Sequence, residues 1–294
     1  MRTVVVTGTS SGIGRATAKA LANEGFRVFG TVRRTEDGEA ASKEIGESYT
    51  PLIMDVTDER SVRAAAATVA EALGTERLAG LVNNAGIETV DALAVQPIED
   101  VAATLDVHVL GTLRAVQAFL PLLGSDESRT GPKGRIVNIS SIAGSVGYPF
   151  FGAYCAAKHA VEGLSEAMRR EFRHIGVDVI VVAPGNTKSG VFEKVRTDRH
   201  GHVAGTIWEK PLEGFRRLFL DGAVNGWPMS RVTGTIAKAL TASRPKARYV
   251  PSAERVMNYT APTMMPKRLV DWVLDQRIAL RARKPESAPQ EPVA

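Results

Sequence analysis

The sequence predicts an α/β fold, a doubly wound parallel sheet with helices on both faces. Short β-branched segments alternate with longer segments of helical apolar spacing, and this alternation is typical of repeated strand–helix units. The strand segments VVV, IVNI and VIVV are apolar at nearly every position, which indicates strands that are covered by helices on both sides. A glycine-rich turn directly after the first strand segment also favours this fold.

The alternation places each element in turn. Strands are expected at residues 3–7, 27–32, 50–54, 80–82, 135–140, 178–183 and 247–250. Helices are expected at 13–24, 58–73, 98–122, 152–174 and 230–241. After Pro184 the alternation weakens, and residues 190–229 are expected to form short helices and loops over the carboxyl edge of the sheet. An amphipathic helix is expected near residues 266–280, followed by a disordered tail from 282 to 294.

Composition narrows the classes of partner. The net charge of +5 comes from 37 Lys and Arg against 32 Asp and Glu without a basic block, so nucleic-acid binding is not expected. Cys155 is the only cysteine, which excludes an intrachain disulfide and fits a cytoplasmic location. Because no secretory signal and no run of about 20 apolar residues is found, a membrane span is not expected.

Two further features, the helix near residues 266–280 and the histidines, also bear on possible partners. The apolar stripe of the helix near residues 266–280 is expected to pack on the protein body or on a partner subunit, in preference to a membrane surface. No metal site is expected, because the sequence places no carboxylate or third ligand beside any pair of histidines. The histidines considered are His159, His174, His200 and His202.

The turn TGTSSGIG at residues 7–14 predicts a dinucleotide site. Its three glycines permit a tight turn in which backbone amides approach a pyrophosphate, and the following helix offers N-terminal N–H groups and a partial positive charge. The spacing G-x-x-x-G-x-G differs from the G-x-G-x-x-G of the common fingerprint, but the position between a first strand and a first helix is the expected one. The residues assigned to this site are Gly8, Ser10, Ser11, Gly12, Ile13 and Gly14.

The end of the second strand indicates which nicotinamide cofactor binds. An NAD site usually has an acidic residue there for the ribose 2′-hydroxyl, whereas NADP sites have basic residues. In GTVRR, Val32 stands where the acid is expected, and Arg33 and Arg34 follow. Ser10 and Ser11 can also donate to a 2′-phosphate. The alternative is that both arginines form a solvated strand end, but the missing acid favours NADP(H) over NAD(H).

Four features stand in a fixed order along the chain: TGTSSGIG, NNAG at residues 83–86, Ser141, and Tyr154 with Lys158. In this combination, residues 1–250 resemble the short-chain dehydrogenase/reductase family. The resemblance implies a single Rossmann-type domain with about seven parallel strands, in which residues 190–229 form a substrate lid. Residues 251–281 would then be a helical extension. Because family members are commonly dimers or tetramers, a homodimer or homotetramer built on the helices at 98–122 and 152–174 is expected.

The resemblance also implies further cofactor contacts. The segment MDV would lie at the adenine, and NNAG beside the adenine ribose, although residue type alone explains NNAG equally well as a strand end. PGNTKS at residues 184–189 matches the family's segment at the nicotinamide carboxamide, and Lys158 would hydrogen-bond the nicotinamide ribose. The residues implied are Asp55, Val56, Asn83, Ala85, Gly86, Tyr154, Lys158, Pro184, Gly185, Thr187 and Ser189.

The catalytic groups implied by the resemblance are Ser141, Tyr154 and Lys158. Ser141 precedes Tyr154 by thirteen residues, the family's spacing, and this spacing favours it over Ser140. A free tyrosine has a pKa of about 10. The Lys158 ammonium and an oxidised nicotinamide are expected to lower that pKa. Tyr154 would then exchange a proton with the substrate oxygen, which Ser141 holds, while hydride moves between the substrate carbon and the nicotinamide.

His108 departs from the family pattern. The segment LDVHVLGT has histidine where the family usually has asparagine, which holds a local helix distortion and a water that links the lysine to solvent. His108 is therefore included in the catalytic set with two interpretations left open. Either it binds that water and titrates near neutrality as a proton relay, so that His108→Asn shifts the pH dependence of activity, or it simply fills the kink.

The substrate is expected to be hydrophobic. The segments VFGTVRR and ASRPKARYV give a looser resemblance to the branch that contains 17β-hydroxysteroid and retinol dehydrogenases, and residues 190–229 are rich in apolar side chains. We expect a hydrophobic ketone or aldehyde and the corresponding alcohol, with a steroid-like molecule as one candidate. A non-catalytic protein that binds NADP as a sensor or scaffold is the alternative function.

Overall fold

The structure of the protein is a computed structural model that describes residues 1–188, 203–224, 226–252 and 256–282. The strands are β1 (Thr3–Val6), β2 (Arg27–Val32), β3 (Tyr49–Ile53), β4 (Gly80–Asn83), β5 (Arg135–Ile139), β6 (Asp178–Val182) and β7 (Arg248–Tyr249). Within the described residues these seven strands form one parallel sheet in the order β3-β2-β1-β4-β5-β6-β7. The predicted doubly wound fold and its strands are therefore confirmed.

The chain reverses its course across the sheet after β3. It leads from β1 outward through β2 to β3 and then returns to pair β4 with the other side of β1. In open parallel sheets a crevice for a ligand forms outside the carboxyl ends of the strands where the order reverses. Here that point lies between β1 and β4, beside the glycine turn.

Helices connect the strands on both faces of the sheet. They are α1 (Gly12–Asn23), α2 (Thr35–Ile45), α3 (Glu59–Leu73), α4 (Ile98–Leu105), α5 (Gly111–Leu120), α6 (Gly152–Glu171), α7 (Glu209–Val224), α8 (Met229–Thr241), α9 (Ala261–Met264) and α10 (Lys267–Ala282). Single π-helical turns lie at Asp106–Leu110, Pro121–Ser125 and Val256–Thr260, and 3₁₀ turns lie at Ile142–Gly144 and Phe172–Ile175. The tail expected after the last helix falls outside the described residues.

Two of these helices differ from the sequence-based expectation. α2 was not predicted, because its segment TEDGEAASKEI is mostly polar and contains a glycine. That glycine, Gly38, is needed for close packing, since a Cβ there would lie 2.9 Å from a side-chain carbon of Pro51. α7 is one continuous helix of 16 residues where short helices and loops were expected. Its glycines and Pro211 obscure an apolar face that includes the buried Leu212 and Phe215.

Alternation of side chains along the strands builds one apolar layer on each face of the sheet. On β1, Val5 belongs to the layer made with α3, α5 and α6, whereas Val4 and Val6 belong to the layer made with α1 and α8. Phe119 of α5 and Ile236 of α8 are fully buried in these two layers. Burying a side chain of this size stabilises the fold by about 1.5–3 kcal/mol.

Within the described part of the chain, one helical stretch is long and apolar enough to cross a membrane by length and composition. It is Ile98–Ser125, with 28 residues and a mean hydropathy of 1.3 in its most apolar window. The stretch is not a continuous apolar run, because Asp106 and Arg114 lie within it. Because Val116, Phe119 and Leu123 of this stretch are buried in the layer against the sheet, packing within the protein accounts for its apolar character.

The C-terminal extension is fastened to the body of the protein at two places. α10 packs against α7, and its Val270 and Ile278 are buried. At β7, the Arg248 guanidinium donates to both carboxylate oxygens of Glu162 at 2.9 Å and to the hydroxyl of Tyr259 at 2.8 Å. Since Glu162 belongs to α6 and Tyr259 to the extension, Arg248 links these two elements.

Gly14 in the first turn of α1 lets the helix approach the sheet edge. A Cβ there would overlap the Gly8 carbonyl oxygen and lie 2.5 Å from the side-chain nitrogen of Asn84. We expect Gly14→Ala to lower the free energy of unfolding by about 1–3 kcal/mol, because the inserted methyl overfills this contact. Denaturant titration measures the change.

Gly234 in α8 provides the matched control. No described atom lies within 4 Å of a Cβ built there. Gly234→Ala should therefore raise the free energy of unfolding by about 0.5–1 kcal/mol through helix propensity alone. Equal changes in the two variants would contradict the packing role of Gly14.

Candidate active site

A cavity of about 1050 Å³ lies at the carboxyl edge of the sheet, where the strand order reverses. It brings together most residues that the sequence assigned to a site. Those on its wall are Gly8, Ser10, Ser11, Gly12, Ile13, Arg33, Asp55, Val56, Ala85, Gly86, His108, Ser141, Tyr154, Lys158, Pro184, Gly185 and Thr187. A single cavity thus reaches from the glycine turn to the Tyr154–Lys158 pair.

Four assigned residues are not on this wall. Asn83 is the last residue of β4, and its side-chain nitrogen donates to the Asn138 side-chain oxygen at 2.8 Å inside the sheet. Gly14 lies beneath the glycine turn, and Arg34 turns away from the cavity. Ser189 lies outside the described residues. The sequence placed Asn83 one position too early, because the amide on the cavity wall belongs to Asn84.

The glycine turn is held against the end of β4 by Asn84, which the sequence analysis missed. The Asn84 side-chain nitrogen donates to the carbonyl oxygens of Thr7 at 3.0 Å and Gly8 at 3.1 Å. In return, the Thr7 hydroxyl accepts from the backbone N–H groups of Asn84 and Ala85, both at 2.9 Å. Gly8 has a φ of +71°, and a Cβ there would lie 2.8 Å from Ala85 Cα, so the turn requires glycine.

The amino end of α1 is open toward the cavity. Ser11 occupies the capping position, but its side chain makes no capping hydrogen bond to the described residues. Helix N-termini with free N–H groups bind anions through those groups and the helix dipole. With Ser10, Ser11 and Gly12 on the cavity wall, this end of α1 has the donors that a pyrophosphate needs.

The two arginines after β2 have different surroundings. Arg33 lines the cavity, whereas the Arg34 guanidinium binds both carboxylate oxygens of Asp37 at 3.0 Å. Asp37, through its side-chain hydrogen bond, raises the pKa of Arg34 further. Arg34 thus supports the start of α2, and of these two arginines Arg33 is the one available to an anionic group in the cavity.

Asp55 lines the same cavity as Arg33. Its carboxylate accepts from the Thr57 N–H at 2.9 Å and the Thr57 hydroxyl at 2.7 Å. Burial raises the pKa of Asp55, but these hydrogen bonds and the Arg33 charge together bring it below its usual value. The carboxylate is therefore ionised at neutral pH.

Ser141, Tyr154 and Lys158 meet at the centre of the cavity wall. Ser141 follows β5, accepts the Ala143 N–H at 3.2 Å and hydrogen-bonds the Tyr154 phenol. Tyr154 and Lys158 lie one turn apart on α6 and are only 8% and 5% exposed. The Lys158 ammonium nitrogen lies 5.4 Å from the Tyr154 ring centroid and donates to the Ile139 carbonyl at 2.9 Å. The arrangement holds both side chains in one orientation.

The protonation states differ from the sequence-based expectation. Burial and the charge of Glu88 raise the pKa of Tyr154 above its ordinary value, although the Ser141 hydrogen bond acts in the opposite direction. Burial lowers the pKa of Lys158 to about 8, which leaves it mostly protonated at neutral pH. In the protein alone, desolvation outweighs the lysine charge that was expected to lower the tyrosine pKa. Tyr154 is thus a neutral phenol, the form that donates a proton.

His108 lies in the π-helical turn Asp106–Leu110 and is 3% exposed. Its Nε2 lies 2.7 Å from the Ile87 carbonyl oxygen and 3.2 Å from the Ile87 backbone nitrogen. The shorter contact places the proton on Nε2, because a carbonyl oxygen can only accept. Its Nδ1 is buried without a hydrogen-bond partner among the described residues. The ring covers Gly86, where a Cβ would overlap it, and meets the Tyr154 ring edge-on at 5.4 Å. His108 therefore fills the space beside the kink.

The relay interpretation of His108 needs a correction. Burial, followed by the charge of Lys158, lowers the pKa of His108 to about 3. A ring with this pKa stays neutral throughout the neutral range, so the expectation that it titrates near neutrality is wrong. The hydroxyl of Thr112 donates to the His108 carbonyl at 2.7 Å, which satisfies an oxygen that the irregular turn frees.

The far end of the cavity is apolar. Phe151 stacks on the Tyr154 ring with centroids 4.3 Å apart, and Phe215 and Phe219 of α7 pack around Phe151. Leu274 of α10 completes this wall. The sequence predicted apolar residues from the 190–229 segment but missed Phe151 and α10. Among the described residues, no group of histidine, cysteine and carboxylate side chains has the arrangement of a metal site.

His108→Asn tests the neutral state of the ring. A histidine with a folded pKa of about 3 and an unfolded pKa of about 6.5 contributes stability that is fully present above pH 6.5 and is lost as the pH falls toward 3. Between pH 7 and pH 5, the wild type should lose about 2 kcal/mol more free energy of unfolding than His108→Asn. The exposed His174 is the control, and His174→Asn should behave like the wild type.

An identical loss of stability in the wild type and His108→Asn would contradict the neutral buried ring. Activity gives a second readout: the pH dependence above pH 6 should be the same in both proteins, since neither side chain titrates there. A shifted profile would restore the relay interpretation.

Comparisons with known proteins agree with this site. The family model described as short chain dehydrogenase matches residues 2–200. An NADPH-dependent 3-dehydrocapnine reductase of Ornithobacterium rhinotracheale is 33% identical over 278 residues, which span 93% of this chain and 96% of that protein. The 17-beta-hydroxysteroid dehydrogenase type 6 of Homo sapiens is 30% identical over 92% of this chain and 87% of its own length.

A solved structure gives the same result. A short-chain dehydrogenase from Streptomyces avermitilis superposes with a TM-score of 0.72 at 26% identity, covering 96% of this chain and 98% of the other. The resemblance to the 17β-hydroxysteroid dehydrogenase branch is likewise confirmed by the human relative. The chain therefore belongs to the short-chain dehydrogenase/reductase family and is an oxidoreductase.

Proposed function

We propose that the protein is an NADP(H)-dependent oxidoreductase that interconverts a hydrophobic ketone or aldehyde and the corresponding alcohol. The observation that carries the proposal is the single cavity that joins an open helix N-terminus to the group formed by Ser141, Tyr154 and Lys158. The raised pKa of Tyr154 keeps the phenol protonated, which is the form required to donate a proton when a carbonyl is reduced.

The cavity residues fit a dinucleotide. The uncapped N-terminus of α1, with Ser10, Ser11 and Gly12, would hold the pyrophosphate, and Arg33 would hold a 2′-phosphate. The Asp55 carboxylate and Val56 would lie at the adenine, and Thr187 at the nicotinamide end. A bound NADPH supplies the hydride. Support for NADPH comes from Arg33 and from the NADPH dependence in the name of the Ornithobacterium relative.

Side chains of the protein donate the proton and stabilise the phenolate that remains. Tyr154 and Ser141 hydrogen-bond the substrate carbonyl oxygen, and Tyr154 gives that oxygen its phenolic proton as the carbon is reduced. The phenolate that remains lies near the Lys158 ammonium, whose positive charge stabilises it. His108 stays neutral and keeps the Tyr154 ring in place through its edge contact.

The substrate end supports an apolar molecule. Phe151, Phe215, Leu218 and Phe219 surround the space next to Tyr154. A ring system or an alkyl chain would displace water from these side chains at a gain of about 25 cal/mol per Å² of buried apolar area. The named substrates of the relatives, 3-dehydrocapnine and 17β-hydroxysteroids, place a steroid and other apolar ketones among the first compounds to test.

The homodimer or homotetramer and the cytoplasmic location remain predictions. Exposed apolar side chains on the α4–α5 stretch, Ile98 and Leu110, together with the exposed Leu93, support an assembly built on these helices.

Tyr154→Phe should abolish turnover while the cofactor still binds. NADPH oxidation measured with cyclic, aromatic and long-chain ketones should fall by about 10²–10⁴-fold, because the proton donor is removed. NADPH fluorescence on binding should change little, since the ring and its packing against Phe151 remain. Tight NADPH binding without turnover by the wild type on any ketone of the panel would favour the sensor or scaffold function.

Arg33→Gln should weaken NADPH binding by about tenfold and leave NADH binding nearly unchanged, because only NADPH has the 2′-phosphate. Arg34→Gln is the matched control and should leave both affinities near the wild type, since Arg34 is paired with Asp37. Isothermal titration with both cofactors measures the difference. A larger effect at Arg34 than at Arg33 would overturn the assignment of the 2′-phosphate site.

A further inference from the structure

α10 brings a charged side chain to the apolar end of the cavity. Val270, Leu274 and Ile278 recur every four residues, so they lie on one face of the helix, and this face is turned toward the protein body. Arg277 follows Leu274 by three positions and therefore shares that face. Both Leu274 and Arg277 line the cavity.

Arg277 has no carboxylate of the described residues within ion-pair distance, and none of their acceptors bonds its guanidinium. By contrast, Arg34 is paired with Asp37, and Arg248 is paired with Glu162. Arg277 is exposed to solvent and also lines the cavity, so its five donors are available to a ligand.

The charge of Arg277 acts within the substrate end of the cavity. Burial and Cys155 raise the pKa of Tyr148, and the charge of Arg277 acts on it in the opposite direction. Tyr148 itself lines the cavity and belongs to the apolar cluster that also contains Phe151, Tyr154 and Phe215. The Arg277 guanidinium and the proton donor Tyr154 thus border the same apolar cluster.

We propose that Arg277 selects substrates that combine an apolar body with an anionic group, such as a carboxylate, a sulfonate or a phosphate. The carbonyl would lie at Tyr154, the apolar body against Phe215 and Phe219, and the anion on the Arg277 guanidinium at the α10 side. This assignment rests on the proposed function and names its substrate class as an amphiphilic anionic ketone.

The physical reason is the geometry of the guanidinium. Its planar donors bind a carboxylate or a phosphate through two parallel hydrogen bonds, which adds both affinity and orientation. Arg277 is solvent-exposed as well as on the cavity wall, so the preference for an anion rests on this two-point geometry and not on exclusion of water. Two acidic residues, Glu88 and Asp221, also line the cavity, and the Glu88 charge acts on Tyr154 and Lys158, away from α10.

Binding measurements test the proposal without turnover. The probes are 6-phenylhexanoate and 6-phenylhexanamide, which match in size and differ in charge, titrated calorimetrically into NADPH-saturated protein. The wild type should bind the carboxylate about tenfold more tightly than the amide. Arg277→Gln should lose this preference through weaker carboxylate binding, and Arg277→Lys should retain part of it.

Arg268 supplies the matched control. It is exposed on the same helix and stands nine residues before Arg277, which places it on the opposite face. Arg268→Gln removes the same charge from α10 and should keep the wild-type preference. Equal affinity of the wild type for both probes would overturn the proposal, as would an undiminished preference in Arg277→Gln or an equal loss in Arg268→Gln.

Turnover separates this proposal from the proposed function. With 6-oxo-6-phenylhexanoate and its amide as substrates, Arg277→Gln should raise KM for the keto acid by about tenfold with little change in kcat, and should leave the amide unaffected. If neither ketone is reduced but the probes keep their charge preference, the proposed function fails for these ketones and the anion site stands. If the wild type reduces the amide with the same kcat/KM as the acid, the oxidoreductase function stands and the anion site fails.

Discussion

The side-chain amide of Asn84 is the interaction on which the geometry of the site depends. It bonds the carbonyl oxygens of Thr7 and Gly8 and so fixes the glycine turn to the end of β4. The turn in turn sets where α1 begins, and Gly14 allows that helix to lie directly against the turn. The open helix N-terminus and the switch point of the sheet are therefore held in one place, with the cavity between them.

Burial decides the chemistry at the other end of the cavity. Three titratable side chains, those of His108, Tyr154 and Lys158, are almost inaccessible to water, and burial is the largest influence on the pKa of each. The result is a neutral imidazole, a neutral phenol and a mostly protonated amine. This combination places a proton donor beside a positive charge that stabilises the phenolate, which suits protonation of a carbonyl oxygen whose carbon is being reduced.

The sequence predicted the sheet well because its strands are short, continuous apolar runs bounded by turn residues. This pattern can be recognised without knowledge of tertiary contacts. It failed where packing decides. α2 is polar, and the close approach of Gly38 to β3 holds it in place. Asn83 and Asn84 are adjacent amides whose side chains point in different directions, so Asn83 bonds inside the sheet and Asn84 bonds the glycine turn. The family resemblance supplied Tyr154 and Lys158, but the pKa shift of His108 and the pairing of Arg34 with Asp37 arise from neighbours distant from any motif.

We expect one cavity to hold the whole cofactor, from the glycine turn to Tyr154. A crystal structure of the complex with NADP⁺ tests it most directly. We expect the pyrophosphate on the N-terminus of α1, the 2′-phosphate on Arg33 and the nicotinamide ring beside Tyr154 and Lys158. A dinucleotide bound with its nicotinamide ring away from Tyr154, or with its adenosine end away from Arg33, would contradict it.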